Sequence, residues 1–291
     1  MSCFTTRFAP SPTGYLHLGH AFAALTAARA AEEAGGRFLL RIEDIDATRS
    51  RPAFDAATLE DLAWLGLRWE TPVRRQSEHL DDYRLALGKL RDQGLLYRCF
   101  KTRREVLDDI ARAPHGPGEG ADGTVYRGAP LPKAEEADLL AQGRPFAWRL
   151  SLDRAAHRAG GFHELSFDEQ GAGPDGETGR IAVDPTSEGD IILARKDVGV
   201  AYHLAVVVDD ALQEVSHVVR GCDLFAAAHV QVLLQALLGL PTPIYRHHRL
   251  LLGPDGKRLA KRNGARSLRD LRAEGLSPLG VRTQLGLAGA G

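Results

Sequence analysis

The segment RFAPSPTGYLHLGH, residues 7 to 20, constrains this chain more than any other. Its first residues close a short run, CFTTRF over residues 3 to 8, that reads as a β-strand. Pro10 and Pro12 end that strand, Gly14 supplies a turn, and an alanine-rich stretch carrying His17 and His20 opens a helix. A turn of this kind delivers the first backbone N–H groups of a helix without partners, at the positive end of the helix dipole. Anions bind there. Two imidazoles three residues apart share a helix face, so both could donate to one phosphate. The four letters HLGH alone also allow a metal pair or two ordinary surface histidines.

The next elements fit a nucleotide-binding sheet. Residues 18 to 34 are predicted to be helical, with Gly35 and Gly36 as the stop, and RFLLRI (37 to 42) reads as a buried strand ending at Glu43, Asp44 and Asp46. Strand, helix and strand within about 40 residues predict a parallel β-α-β unit. In such sheets ligands bind beyond the carboxyl ends of the strands, where both the HLGH turn and Glu43 fall. Helices are expected over 54 to 65 and 78 to 93, the second from the spacing of Leu80, Tyr83, Leu87 and Leu90. YHLAVVV (202 to 208) reads as a fully buried strand ending in Asp209 and Asp210. VSHVV (215 to 219) reads as another, ending at Arg220, and an apolar helix follows from 224 to 239.

Composition narrows the class. At 291 residues the chain can hold about two domains, and a formal net charge of −1 gives no global attraction to nucleic acid, so RNA contact must come from local patches. Cys3, Cys99 and Cys222, odd in number and widely spaced, suit reduced thiols in a cytoplasmic protein. No apolar run reaches the roughly 18 residues of a membrane span. One local patch exists: Lys257, Arg258, Lys261, Arg262, Arg266, Arg269 and Arg272 are opposed only by Asp270.

Taken together, RFAPSPTG with HLGH, RIEDIDATRS, DLAWLGL, YHLAVVVDD, RGCDL and DGKRLAKRNG occur in the order found in class I aminoacyl-tRNA synthetases of the glutamyl and glutaminyl group, which the chain resembles. The resemblance implies an α/β fold: a Rossmann-like parallel sheet, formed by 1 to 97 and 194 to 245, split by a β-rich insertion over 98 to 193. A short C-terminal helical and loop segment, 246 to 291, would carry the second signature at 255 to 264, where Arg258 replaces the usual first lysine, Ala260 the serine, and Lys261 keeps the second lysine. It implies that His17, His20, Lys261 and Arg258 are catalytic and that His17, Gly19, His20 and Lys261 bind ATP, which enters with Mg2+ as substrate. It places L-glutamate against Arg7, Ala9, Ser11, Glu43, Tyr202 and Arg220. Arginines suit that task because a guanidinium can grip a carboxylate with two parallel hydrogen bonds.

Two departures point to the short paralogues of the family, the glutamyl-queuosine tRNA(Asp) synthetases. No C-terminal anticodon-binding domain is recognisable, and Val206 stands where full-length enzymes usually place an asparagine. In that group glutamate is activated without tRNA and passed to the queuosine base at the anticodon wobble position of tRNA(Asp). The implied partner is therefore a queuosine-bearing anticodon stem-loop, met by a monomer through phosphate and shape contacts from the basic C-terminal segment and the insertion. Zinc sites of the family correspond here to Cys99, Lys101, Tyr126 and Pro130, so no structural zinc is expected: one thiolate and one phenol do not make a tetrahedral set. The alternatives are a truncated glutamyl-tRNA synthetase charging tRNA(Glu), a nucleotidylyltransferase, and a tRNA-binding paralogue without catalysis.

Overall fold

Two parallel strands joined by a small-residue helix form the frame of the molecule, a computed structural model that describes residues 3–112, 125–195, 199–252 and 266–287. Strand β1 (Thr5–Phe8) runs beside β2 (Arg37–Ile42), with Thr5 opposite Arg37 and Phe8 opposite Leu40, and α1 (Leu18–Glu33) crosses between them. Ala21, Ala24, Ala27, Ala30 and Ala31 are buried, so α1 presents a thin face and lies close on the sheet. Helix α2 (Pro52–Trp64) starts with a proline where a missing N–H is harmless, and β3 (Arg74–Arg75) then adds a third parallel strand beside β2. Helix α3 (Leu80–Asp92) turns Tyr83, Ala86 and Leu90 inward.

The middle of the chain is mixed. After β4 (Leu96–Cys99) come α4 (Arg103–Arg112), α5 (Lys133–Ala141), β5 (Ala147–Leu150) and α6 (Leu152–Arg158). A hairpin of β6 (Ser166–Glu169) and β7 (Gly179–Ala182) leads to β8 (Ile191–Arg195) and β9 (Gly199–Val200). Strands β4, β5, β8 and β9 form an antiparallel sheet in that order. The hairpin does not join them.

Beyond β9 the chain forms α7 (Tyr202–Leu212), β10 (His217–Gly221), α8 (Phe225–Leu238) and β11 (Ile244–His248). Strands β10 and β11 are parallel, and β6 extends their sheet through a parallel contact of Glu169 with Tyr245. Ser216 links the two parallel sheets: its N–H donates to Thr5 O at 3.0 Å and its hydroxyl accepts the Thr5 N–H at 2.8 Å. Arg7 and Arg220 thus sit on neighbouring strands. Gly239 ends α8 in the left-handed region, φ 67°, which a side chain would resist. Helices α9 (Leu268–Ala273) and α10 (Pro278–Gln284) return to α1 and α2, burying Leu268, Leu271, Val281 and Leu285 in the same core.

The expected strand at 202 to 208 is a helix. Residues Leu204 to Asp210 of α7 are all buried, because α3, α8 and β8 enclose it. A helix covered on every side shows no 3.6-residue alternation, so its run of valines imitates a central strand. Among the described residues no helix is long and apolar enough to cross a membrane.

One buried group in this frame works against stability at high pH. Asp61 of α2 is 3% exposed, and its Oδ2 has no hydrogen-bond partner. Burial, with Glu60 adding to it, pushes its carboxyl up to about 6. The folded form binds the proton more tightly than the unfolded chain, so the group favours folding at acid pH and loses that contribution as pH rises through 6. Asp61→Asn should raise unfolding free energy at pH 8 by about 2 kcal/mol, with the gain vanishing near pH 4. Urea titrations at both pH values measure it, and an equal difference at both would overturn the assignment.

Candidate active site

His17 and His20 close the start of α1 on itself. His17 is the N-cap: its Nδ1 accepts the Gly19 N–H at 3.1 Å, and His20 Nδ1 accepts the His17 N–H at 3.2 Å. The rings lie 3.9 Å apart. An Nδ1 that accepts carries no proton, so each imidazole holds its proton on Nε2. The sequence reading aimed both rings and the Gly19 N–H at a phosphate. The structure uses Gly19 N–H and both Nδ1 atoms in the cap.

The second group gathers at the carboxyl ends of β1, β2 and β10 and the start of α7. Arg7 is buried and forms two hydrogen bonds with Asp210, Nε to Oδ1 at 2.9 Å and Nη2 to Oδ2 at 3.2 Å. Arg41, one strand over, donates to Asp210 at 2.7 Å and to Glu43 at 3.2 Å. Burial pushes the Glu43 carboxyl up, and Arg41 and Arg7 offset only part of that. Burial also raises the Tyr202 phenol, while Arg220, Glu43 and Arg7 all act on its charge. Arg7, Glu43 and Arg220 thus all lie within electrostatic reach of Tyr202.

Ser11, Glu43 and Tyr202 line a cavity of about 370 Å³ together with Gln76, Asp46 and Arg49. That volume is at the small end of ligand sites. Arg7 and Arg220 do not line it but stand close enough to act on Tyr202. Ala9 follows β1 directly, half-buried, and Glu43 N–H donates to Pro10 O at 3.0 Å, tying the end of β2 to the same turn. A larger groove of about 850 Å³ lies at the opposite end of β2, by Gly36 and Arg37, and contains none of the expected site residues.

Arg220 differs from Arg7 in its partners. Its Nη1 donates to Gln231 Oε1 at 2.8 Å, Nη2 to Leu224 O at 2.9 Å and Nε to His247 Nε2 at 3.0 Å. All three acceptors are neutral, and among the described residues no carboxylate pairs with it. Beside it, His203 Nδ1 and Gln231 Nε2 are buried without a hydrogen bond of normal geometry, although Gln231 is near enough to Tyr202 to favour its ionised form. Burial and Arg220 push the His203 imidazole down to about 4, so it is neutral at physiological pH. A buried cation with no carboxylate among its described partners, near two unused polar atoms, is suited to an acidic ligand.

Asp209 and Asp210 had no role assigned from sequence, and Arg41, Gln231 and His247 were not singled out. Asp209 accepts from Arg74 at 2.7 Å, Gln76 at 2.8 Å and Tyr83 at 2.9 Å, which anchors α7 to β3 and α3. A signal was present: an arginine in the apolar strand RFLLRI and paired acids in an apolar segment must find each other.

Lys261 and Arg258 lie outside the described residues. The chain that follows them docks on the histidine turn, where Ser267 bridges His17 and Leu268 N–H donates to Leu16 O at 2.7 Å. Ser267 and Asp270 then cap α9 reciprocally. Cys99 and Tyr126 are both buried and adjacent enough for the thiol to help raise the phenol, after burial; Lys101 pairs with Asp109.

The sequence profile of class I tRNA synthetases (E and Q), catalytic domain, matches residues 4–291. The chain belongs to that family. A glutamate tRNA ligase from Elizabethkingia meningosepticum, solved in complex with its amino acid, superposes with a TM-score of 0.71 at 28% identity, over 90% of this chain and 53% of that one. Within the family the chain is 50% identical to a Glutamyl-Q tRNA(Asp) synthetase of Rhodobacter capsulatus, across 97% of this chain and 99% of the relative. It is 44% identical to a protein of the same name from Symbiobacterium thermophilum, across 94% and 82%.

The ion network makes a clear demand. Asp210 is buried, which opposes its charge, yet Arg7 and Arg41 hold its carboxyl below the usual range. Its contribution is therefore full at neutral pH and lost as pH falls below the ordinary carboxylate range. Asp210→Asn strands two buried guanidinium groups and should lower stability at pH 7 by about 3–5 kcal/mol. Denaturant titrations should show variant and wild type converging in acid; a deficit that stays constant there would contradict this account.

Proposed function

We propose that this chain activates L-glutamate with ATP and passes the glutamyl group to the queuosine base at the wobble position of tRNA(Asp). The observation that carries the first half is Arg220, a buried cation with no carboxylate among its described partners, within electrostatic reach of Tyr202. Family membership supplies the general use of ATP with Mg2+, and the likeness to the Rhodobacter capsulatus relative supports the choice of acceptor.

Glutamate would enter with its ammonium toward Glu43, whose burial favours a cationic partner, and with a carboxylate toward Arg220. The α-carboxylate oxygen attacks the α-phosphorus of ATP, pyrophosphate leaves, and the glutamyl-adenylate forms. No side chain needs to act as a nucleophile. Catalysis is positioning and charge stabilisation, for which the Nε2–H donors of His17 and His20 and the positive end of α1 are suited. An acceptor oxygen of the modified base then attacks the acyl carbon and AMP leaves.

Glutamate-dependent ATP–pyrophosphate exchange without tRNA is the test. Exchange is expected with the protein alone, and His20→Ala should slow it by about 10²–10³-fold, the usual effect of removing one transition-state donor. Transfer of labelled glutamate to queuosine-containing tRNA(Asp) should follow. Exchange only on addition of tRNA(Glu) would assign the chain to charging of that tRNA instead, and no exchange in either arm would point to a non-catalytic tRNA-binding role.

A further inference from the structure

Arg220 sits at the end of a hydrogen-bonded chain that begins on the β6–β7 hairpin. Glu169, the last residue of β6, accepts the His247 N–H at 2.8 Å and the Gly171 N–H at 2.7 Å with Oε1, and the His247 ring nitrogen Nδ1 meets its Oε2. Neither side chain has exposed surface. The other ring nitrogen, Nε2, accepts from Arg220 Nε at 3.0 Å. A guanidinium cannot accept a hydrogen bond, so Nε2 must be the acceptor, the proton must be on Nδ1, and Glu169 must take it. The tautomer is set by the chain itself. Burial, outweighing Glu169, holds the imidazole below its usual proton affinity and so in this neutral form.

The approach of the hairpin is unusually close. A Cβ on Gly171 would fall 2.0 Å from His247 O, so only glycine lets the end of β6 fold over β11. The imidazole is also stacked parallel to Tyr245, with ring centroids 5.8 Å apart, and meets the Phe225 ring edge-on at 5.3 Å. Arg220 in turn lies over the Tyr245 ring at 5.2 Å. The groups that touch Arg220 directly are uncharged, and Glu169 reaches it only through His247. Their effect is on its direction.

Of the five N–H groups of a guanidinium, the bonds to His247, Gln231 and Leu224 use one on each nitrogen, leaving one on each terminal nitrogen. We propose that Glu169 and His247 are positioning residues that fix the rotation of Arg220, so that its two remaining N–H groups form a fork for a carboxylate of the acidic substrate. The inference rests on the reading that Arg220 binds that substrate. Glu169 and His247 come from the hairpin and from β11, which also carries Tyr245 beneath Arg220, so the pairing of β6 with β11 brings the chain together.

The test compares Arg220→Lys, His247→Leu, His247→Gln and Glu169→Gln with the wild type. Affinity for L-glutamate is read by calorimetry without ATP, the KM values for glutamate and ATP by pyrophosphate exchange, and folding by thermal unfolding. His247→Leu should weaken glutamate binding by about 10–100-fold, the usual effect of losing a group that orients a ligand-binding side chain, and leave the KM for ATP within about twofold. His247→Gln, whose Oε1 can accept where Nε2 did, should recover most of the affinity. Glu169→Gln should fall between them. If His247→Leu does not fold, the Gln variants decide by the same readouts.

Wild-type glutamate affinity in Arg220→Lys would remove the site assignment and the inference with it. Weak binding by Arg220→Lys, with His247→Leu or, failing that, Glu169→Gln at wild-type affinity, would overturn the inference alone. Equal loss in His247→Leu and His247→Gln, or a parallel rise in the KM for ATP, would overturn it in favour of a purely structural role.

Discussion

Arg41 has no exposed side-chain surface, and much of the molecule is arranged to answer its charge. It donates to Asp210, Glu43 and Gln213, and its Nε lies 3.6 Å from Asp209 without forming a hydrogen bond. A bare guanidinium at that depth would unfold a domain of ordinary stability, so the acids must arrive together with it. They arrive on α7. Adjacent residues on a strand would face opposite sides of a sheet, whereas on a helix Asp209 and Asp210 are about 100° apart and can enter one polar cluster. Asp210 takes Arg41 and Arg7; Asp209 takes Arg74, Gln76 and Tyr83. One buried charge thereby fixes β1, β2, β3, α3 and α7 against one another, and it places Glu43 at the mouth of the cavity.

How much of this the sequence reveals depends on contrast. The β1–α1–β2 unit was legible because each boundary changes chemistry: prolines end the strand, alanines fill the helix, glycines stop it, and RFLLRI resumes. Helices α2, α3 and α8 were legible for the same reason. Segment 202 to 212 offers no contrast, since every residue from Leu204 to Asp210 is buried, and β-branched valines favoured the wrong element. The site divides along the same line. Arg7, Glu43, Tyr202 and Arg220 stand at element ends beside recognisable strings, and the structure brings them together. His247 lies in a basic run, YRHHRL, and Glu169 in a segment of turn residues; only the fold makes them neighbours.

The histidine turn shows how local structure can set chemistry. An N-cap serine would satisfy the helix N–H groups as well as His17 does, but it would present no N–H donor of its own. Imidazole does both, because the nitrogen that caps is not the nitrogen that carries the proton. The arrangement fixes the His17 and His20 rings at the cap, and the docking of Ser267 and Leu268 against the same turn ties α9 to the start of α1. Helix α1, short of acids in its first turn, keeps its dipole for an anion.

The charges of the cluster bear on the ligand proposed for it. Arg7, Arg41 and Arg220 are positive; Asp210 and Glu43 supply two negative charges; Asp209 belongs with Arg74. Among the described residues the direct partners of Arg220 are all neutral, and the Glu169 carboxylate answers its charge only through His247. Arg7 differs in that Asp210 already answers its charge directly, through Nε and Nη2. A neutral amino acid would leave the buried charge of Arg220 answered only through His247, and a basic one would add to it. An acidic amino acid would give it a direct anionic partner while keeping its ammonium for Glu43. The acidic substrate proposed above thus suits a buried guanidinium whose direct partners are neutral as much as it suits the cavity.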